Sequence, residues 1–250
     1  MSLQTQNILH IPVSVIDRSE LLEQIESFAA SGRVALVNNV NVHACNLAYS
    51  RPEFREVLNG SEIVFCDGFG VKLGAWLLGK KLGTRMTPPD WVDDLFSRCV
   101  AKGYSVFFIG DEDEVVERFA QMAVARHPKL DVAGWRNGFF DLEDEGVMDE
   151  VAQAEADIVI TGMGMPRQEL WAWRAKDRVG KGVFIATGAL FRWYTGVEKR
   201  APRWLTDHGL EWLARLTASP KRHFSRYMIG LPLFFFRILK QRMGWGDKRG

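Results

Sequence analysis

The chain has 250 residues, of which 47% are apolar and 25% are charged, a composition that is ordinary for a soluble protein with a substantial core. No stretch has the ~18 uninterrupted apolar residues of a membrane-spanning helix. The first residues lack the charged and apolar regions of a secretory signal. The net charge of +1 hides an asymmetry, because residues 196–250 contain 12 Lys and Arg but only 4 Asp and Glu. Such a basic tail favours an anionic partner, which can be nucleic acid, phospholipid or a phosphorylated substrate.

The cysteines indicate the compartment. Cys45, Cys66 and Cys99 are few, odd in number and without the spacing of metal ligands. We interpret them as buried thiols of a reducing compartment. We therefore expect the protein in the cytoplasm.

The predicted elements alternate along residues 1–195. A strand or small hairpin (ILHIPVSVI) comes first, and Ser19 is expected to cap a helix from Glu20 to about Ser31. Short apolar runs then alternate with helical segments. The runs are VALVNN, EIVFCDG, SVFFIG, LDVAGW, DIVITG and GVFIATG, and the segments are about 44–58, 70–78, 91–102, 112–126, 145–154 and 166–176. This alternation predicts a doubly wound α/β fold with a mainly parallel, Rossmann-like sheet covered on both faces.

Residues 196–250 are predicted to form a basic, aromatic and helical appendage to the α/β domain of residues 1–195. Its last part has an apolar stripe with helical spacing, formed by Leu231, Phe234, Phe235, Ile238 and Leu239. With its basic neighbours, this stripe favours a helix lying in the interface of an anionic membrane, through residues of about 215–245. The alternative is a helix that docks on the protein's own body or on another subunit.

Ligands of doubly wound sheets bind where the carboxyl ends of the strands meet. Asp67 follows the buried run 63–66 and precedes Gly68, so it can act as a general base that takes a proton from an attacking hydroxyl. The alternative is that Asp67 caps the next helix.

Polar side chains also crowd the end of the first core strand, at Asn38, Asn39, Asn41 and His43. Amides there can donate to and accept from sugar hydroxyls or a phosphate. Asn is equally common where a strand turns into a helix, and a single His is more often structural.

Residues 162–169, GMGMPRQE, read as a strand end, a glycine-rich turn and a helix start with Pro166 at the first helical position. The amides and dipole of such a helix start favour a phosphate. Many close turns nevertheless require glycine without binding anything.

Asp111-Glu112-Asp113 has the D-x-D form that many metal-dependent sugar transferases use to hold a divalent ion on a nucleotide diphosphate. The same residues follow a strand and open a helix, where acidic side chains complement the dipole without a metal. We favour the helix-start interpretation and expect no metal site.

Together these motifs resemble the WecG/TagA/CpsF family, glycosyltransferase family 26, from about Val34 to Tyr227. The resemblance lies in NVH at 41–43, Asp67-Gly68 with Gly70, Arg85 with Asp90, GMGMPRQE at 162–169, KRAP at 199–202, GLEWL at 209–213, RL at 215–216 and PKR at 220–222. Strings of this length in the correct order are a strong signal.

The resemblance implies an inverting, metal-independent transferase without a cofactor. Such an enzyme moves a sugar from a UDP-sugar to a polyprenyl-diphosphate-linked acceptor in the synthesis of surface polysaccharide, exopolysaccharide or teichoic acid. It also implies an appendage that closes over the active site and brings the enzyme to the cytoplasmic face of the membrane. We expect no nucleic-acid partner, and the sequence leaves a homo-oligomer open.

The resemblance assigns the base to Asp67, polar pocket positions to Asn41 and Gln168, and contacts with phosphate charge to Arg215 and Arg222. We add Asn39 as a second catalytic candidate. The full set of expected substrate-binding residues is Asn41, His43, Gly68, Arg85, Asp90, Gly162, Gly164, Pro166, Gln168, Glu169, Arg200, Arg215 and Arg222.

The sequence also departs from the family pattern. Asn39 stands where the family usually has Thr, and Arg192 replaces the carboxylate of the pattern G-G-x-F-D. In addition, Pro89 precedes Asp90 where a glycine is usual. These changes make the identity of the donor sugar uncertain.

The sequence also allows a comparison with two other functions, an oxidoreductase and a non-catalytic membrane-recruited protein. A nicotinamide-dependent oxidoreductase is disfavoured, because no G-x-G-x-x-G follows the first core strand. A non-catalytic protein that recruits a polysaccharide assembly complex through its tail is kept open by Asn39 and Arg192.

Overall fold

The computed structural model describes residues 3–199 and 224–245, together with Ala201, Leu205, Leu216 and Thr217. A short antiparallel hairpin comes first, and a six-stranded sheet of order β4-β3-β8-β7-β5-β6 follows, with every neighbouring pair parallel. The strands are β1 (Thr5–Ile8), β2 (Ile11–Ser14), β3 (Ala35–Val40), β4 (Ile63–Cys66), β5 (Ser105–Gly110), β6 (Asp131–Arg136), β7 (Ile158–Gly162) and β8 (Val183–Ala186). The predicted α/β, Rossmann-like fold class is confirmed.

Helices connect the strands and cover the sheet. They are α1 (Arg18–Ser31), α2 (Val42–Ser50), α3 (Pro52–Asn59), α4 (Phe69–Leu77), α5 (Val92–Lys102), α6 (Asp113–Arg126), α7 (Glu145–Gln153), α8 (Arg167–Val179), α9 (Leu190–Tyr194) and, near the C-terminus, α10 (Gly230–Arg242). A 3-10 turn (Pro88–Asp90) precedes α5, and a π-helical turn (Ser225–Ile229) precedes α10.

The core lies on both faces of the sheet, as the unbroken apolar runs predict. Successive side chains of a strand point to opposite faces. Val106 and Phe108 of β5 therefore join the apolar cluster beneath α1, α5, α6 and α9, whereas Phe107 and Ile109 join the cluster beneath α7 and α8. A third cluster joins the hairpin to α2, α3, α4 and α10.

Two local expectations are wrong. The first helix begins earlier than expected, and its cap is Asp17 rather than Ser19: Asp17 accepts from the amide of Glu20, whose carboxylate accepts from the amide of Asp17. The single helix expected over 44–58 is two helices, because the chain is extended at Arg51, directly before Pro52.

The expected membrane role of the C-terminal apolar stripe is also wrong for its central residues. Phe234 and Ile238 are fully buried against the protein's own body. Gly74 of α4 makes this possible, because a Cβ there would lie 2.8 Å from the ring of Phe234. Arg237 adds a hydrogen bond to the side chain of Asn46, and its guanidinium stacks over the ring of Tyr49. Phe234 and Ile238 therefore follow the docking alternative, whereas Leu239 of the same stripe is exposed.

No helix in the described part of the chain combines the length and the hydrophobicity needed to cross a bilayer.

Candidate active site

The carboxyl ends of β3 and β4 bring Asp67 and Asn41 together. The two strands are parallel neighbours, and the amide of Asp67 donates to the carbonyl of Val40 at 3.0 Å. Gly68 lies so close to Asn41 that a Cβ at Gly68 would be 3.1 Å from the Asn41 Cβ. A larger residue at 68 would push the two strand ends apart, so glycine keeps Asp67 beside the asparagine. Asp67 itself is partly exposed.

Asn41 in turn contacts the glycine-rich turn. Its side-chain oxygen accepts from the amides of His43 and Ala44 and so caps α2, which fixes the rotamer. Its side-chain nitrogen then lies 3.8 Å from Sδ of Met165. The strand ends of β3 and β4 are thereby linked to the turn after β7, which places Asp67, Asn41 and GMGMPRQE at one edge of the sheet.

The side chain of Gln168 bonds to the loops after β7 and β8. It is fully buried, and its Oε1 accepts from the amides of Gly164 at 3.2 Å and Gly188 at 3.1 Å. The loops after β7 and β8 are thus held together by one side-chain oxygen. The expected availability of the turn amides for a phosphate is wrong at Gly164, because Gln168 occupies its amide. Gln168 therefore lies within the site as a positioning group.

Glu169 is the buried partner of Gln168. Its Oε1 accepts from the Gln168 amide at 2.8 Å, and its Oε2 has no hydrogen-bond partner in the described part of the chain. Burial raises the pKa of Glu169 to about 7. The expected substrate contact is replaced by a contact with Gln168, since the whole residue is inaccessible.

Glycines allow the strand ends to approach closely. Gly110 and Gly162 are paired across β5 and β7, and Gly110 has φ +147°. A Cβ at Gly110 would lie 2.5 Å from the carbonyl carbon of Gly162, and one at Gly162 would meet the ring of Phe191 at 2.9 Å. The glycine of the motif at 162 therefore serves close packing, and Gly164 has φ +78°, which suits the turn.

Pro166 lies one residue earlier than expected, at the N-cap position of α8 rather than at the first helical position. The following Arg167 turns away from β3 and β4: its guanidinium donates to the carbonyls of Gly138 and Phe140.

Asn39 is inside the sheet. It is 2% exposed, and its amide donates to the carbonyl of Ala186 on β8 at 2.7 Å. This bond ties β3 to β8, so the structure gives Asn39 a structural partner. Its catalytic role stays a prediction. Asn38 likewise donates to the hydroxyl of Ser61.

His43 lies in an open groove of about 440 Å³ between α2 and the C-terminal segment. Burial lowers the pKa of His43 to about 4, and the nearby cations Arg226 and Arg51 act in the same direction. The imidazole is therefore neutral at pH 7 and can serve a ligand in this groove as a hydrogen-bonding group without charge.

Residues 85–90 return to the end of β4. The amide of Met86 donates to the carbonyl of Cys66, and the charge of Arg85 acts on the Cys66 thiol beside Asp67. Asp90 accepts from the hydroxyl of Thr87 at 2.7 Å and stabilises the 3-10 turn. Arg85 thus lies near the candidate base, whereas Asp90 has a local structural partner.

Arg192, which stands where the family usually has a carboxylate, forms an ion pair with the first aspartate of the D-x-D motif, Asp111. Arg192 pairs with Asp111 at 2.8 Å and with Glu198 at 3.0 Å, and Asp113 accepts from Asn137. The arginine that replaces the family's carboxylate is therefore neutralised within the protein. In the described part of the chain, no three His, Cys, Asp or Glu side chains are grouped to hold a metal ion.

The arginines expected to meet phosphate charge, Arg200, Arg215 and Arg222, lie outside the described residues. Arg226, which follows them, is described and acts on His43.

Sequence reasoning missed two positions of the site. Met165 was expected only as part of the turn, yet it contacts Asn41. Arg192 was expected to alter a ligand contact, yet it pairs with Asp111. The available signal for the second was an acidic residue after β5 and a basic residue in the helix that follows β8.

Comparison with known proteins gives a consistent result. Residues 6–248 match the profile described as "Glycosyl transferase WecG/TagA/CpsF family". One relative, from Bacillus subtilis (strain 168), is 26% identical over 241 residues, which are 96% of this chain and 93% of the relative. Another, from Staphylococcus aureus (strain NCTC 8325 / PS 47), is 27% identical over 225 residues, 89% of this chain and 87% of the relative. Both are named N-acetylglucosaminyldiphosphoundecaprenol N-acetyl-beta-D-mannosaminyltransferase.

Proposed function

The chain belongs to the WecG/TagA/CpsF family and is a glycosyltransferase, and from this premise we propose that it transfers a sugar from a UDP-sugar to a polyprenyl-diphosphate-linked acceptor. The relatives' names describe an acceptor of that kind, a sugar on diphosphoundecaprenol, and an N-acetylmannosaminyl group as the sugar that they move. The product would be an intermediate of a bacterial cell-surface polymer.

The observation that carries the proposal is the position of Asp67. Asp67 is partly exposed at the end of β4, the next residue, Gly68, lies against Asn41, and Asn41 contacts the turn after β7. A ligand at this edge would meet a base from one strand and polar groups from the next. Such convergence at the carboxyl ends is where doubly wound sheets bind their ligands.

In the reaction we infer, Asp67 accepts the proton of the acceptor hydroxyl as that oxygen attacks the anomeric carbon. The new carbon–oxygen bond forms on the face opposite the leaving group, so the anomeric configuration inverts. The bond to the diphosphate breaks, and UDP leaves with its electron pair. A positioned general base contributes about 10²–10⁴-fold to such a step.

The departing diphosphate requires fixed positive groups or donors. Arg85 stands near Asp67, and we propose that it contributes here together with Arg200, Arg215 and Arg222 of the appendage. No divalent ion or other cofactor has a part in this proposal. The test is that transfer persists in excess EDTA.

Because a polyprenyl acceptor stays in the bilayer, we further propose that the enzyme binds the cytoplasmic membrane surface through the basic appendage. An enzyme held at the surface meets its acceptor at a high effective concentration.

The proposed function is tested with a panel of UDP-sugars. Each is first screened for binding to the full chain and is then offered with a short-chain polyprenyl-diphosphate sugar. We expect one donor to give a disaccharide product and stoichiometric UDP, with inverted configuration by NMR. Absence of transfer from every donor, with the protein folded, would contradict the proposal and would favour the non-catalytic alternative.

A further inference from the structure

An exposed apolar surface lies beside the candidate base, and most of it belongs to no feature discussed above. Phe69, Leu73 and Trp76 are exposed at i, i+4 and i+7 of α4, and Trp76 is 70% exposed. This spacing places the three side chains on one helix face. The helix begins two residues after Asp67, so its exposed face starts at the mouth of the site.

The C-terminal helix packs beside α4 and exposes apolar side chains of its own. Gly70 and Gly74 form the neighbouring face of α4 and pack against α10, where Cβ atoms would approach Leu231 and Phe234. While Phe234 and Ile238 point into that contact, α10 exposes Phe236 (65%) and Leu239 on its other side, and Met243, directly after the helix, is exposed as well. We call the set Phe69, Leu73, Trp76, Phe236, Leu239 and Met243 the α4–α10 surface.

The two segments that carry these side chains contain cations but no acidic residue. Residues 68–89 contain no Asp or Glu but four cations, Lys72, Lys80, Lys81 and Arg85. Residues 224–245 also contain no acidic residue and have four cations, Arg226, Arg237, Lys240 and Arg242. The chain has 31 acidic residues elsewhere, so the two segments that pack together are both free of them.

Exposed aromatic and aliphatic side chains with a basic border fit the interface of an anionic bilayer. A docking surface for another protein would not require the exclusion of every acidic residue from both segments. We propose that the α4–α10 surface inserts into anionic phospholipid, so that α4 of the catalytic body, and not the appendage alone, binds the membrane and presents Asp67 to it. The choice of a bilayer rests in part on the proposed lipid-linked acceptor.

The test measures binding of the full chain to sedimented vesicles of phosphatidylglycerol and phosphatidylcholine, without sugar nucleotide or acceptor. The result therefore does not depend on whether the enzymatic proposal holds. We expect Leu73→Ser with Trp76→Ser to weaken binding about tenfold or more, because two large apolar groups leave the bilayer. Vesicles of phosphatidylcholine alone should bind the wild-type chain markedly less.

The matched control is Trp135→Ser. Trp135 is 46% exposed on β6, at the opposite edge of the sheet from β4, and its loss should leave vesicle binding unchanged. Wild-type binding by the α4 variant would overturn the proposal. So would failure of the wild-type chain to bind, or loss of self-association rather than vesicle binding in the variant.

A second measurement protects the test against a folding defect. The three native cysteines are buried, and burial raises their pKa values, so a spin label can be directed to Leu73→Cys. We expect the label to become accessible to oxygen and shielded from an aqueous nickel complex when anionic vesicles are added. A label that stays in water while the protein is vesicle-bound would overturn the proposal.

Discussion

The two regions around α4 and α10 and around α7 and α8 differ in how their charged side chains are distributed. Six of the ten residues 141–150 are acidic, and arginines of β6 and α8 pair with them. The pairs are Arg136–Glu150, Arg174–Glu143, Arg178–Glu145 and Arg178–Asp149. The segments 68–89 and 224–245 instead carry cations without any acidic residue. The α7–α8 side neutralises its own charges, and we call it the neutralised flank. The α4–α10 side exposes cations and apolar groups, and we call it the outward-directed flank.

The candidate base and the buried side chains that support the site also lie on different flanks. Asp67 precedes α4 on the outward-directed flank, whereas Gln168 and Glu169 are buried in the first turn of α8 on the neutralised flank. The groups proposed for catalysis and for membrane contact therefore belong to α4 and its surroundings, whereas the side chains that hold the loops belong to α8. Substitutions on the two flanks should then affect different measurable quantities.

The largest effect is expected at Asp67. We expect Asp67→Asn to lower kcat by about 10²–10⁴-fold, because the amide cannot take the hydroxyl proton. UDP affinity and thermal stability should stay close to wild type. Steady-state kinetics with the donor found above and calorimetric titration with UDP separate the two quantities.

The control for Asp67 is a second strand-end carboxylate, in Asp111→Asn. Asp111 is neutralised by Arg192 rather than placed beside Asn41, so we expect less than about a tenfold change in kcat. If Asp111→Asn lost as much activity as Asp67→Asn, Asp67 would no longer stand out as the base, and Asp111 after β5 would be an equal candidate.

On the neutralised flank, Gln168→Ala should act mainly on stability. The substitution leaves the partly buried amides of Gly164 and Gly188 without their acceptor and removes the buried bond to Glu169. The free energy of unfolding should fall by about 3 kcal/mol, since each unsatisfied buried group costs roughly 1–3 kcal/mol. Urea unfolding measures this loss.

Gln121→Ala provides the comparison, because Gln121 is exposed on α6 and its side chain donates to Glu117 one turn earlier. That variant should change the free energy of unfolding by less than about 0.5 kcal/mol. Similar losses in both variants would mean that Gln168 does not hold the loops together.

Glu169 should make stability depend on pH. Its folded pKa is about 7, above the ordinary 4.5, so folding favours the protonated carboxyl. The contribution of Glu169 to stability is therefore greatest below pH 4.5, falls as pH rises towards 7, and is constant above that. Glu169→Gln removes this dependence and should reduce the stability difference between pH 5 and pH 8 by about 2–3 kcal/mol. Urea unfolding of both proteins at the two pH values cancels the contributions of all other groups, and parallel curves would contradict the buried, protonated state.

Local patterns predicted most of the sheet, because buried parallel strands are continuous apolar runs bounded by glycine or polar residues. They also predicted that Asp67 and Asn41 would meet, since parallel strands end at the same edge. They could not show which face of α10 is buried. Phe234 and Phe236 are chemically alike, and only the space left by Gly74, more than 150 residues away, decides between them. Nor could they show that Gln168 faces inward, because the two amides that donate to its side-chain oxygen come from two separate loops.

The smallest effect is expected at Arg178, where the neutralised flank is most exposed. Arg178 bonds to Glu145 and to Asp149, but all three side chains are solvent-accessible, so water and salt screen the pairs. Arg178→Ala should lower Tm by no more than about 3 °C in low salt, and by less in 1 M NaCl. Differential scanning calorimetry at both ionic strengths checks this. A large, salt-independent loss would mean that the acidic flank is held together by its ion pairs, and that the contrast between the flanks is one of stability as well as of function.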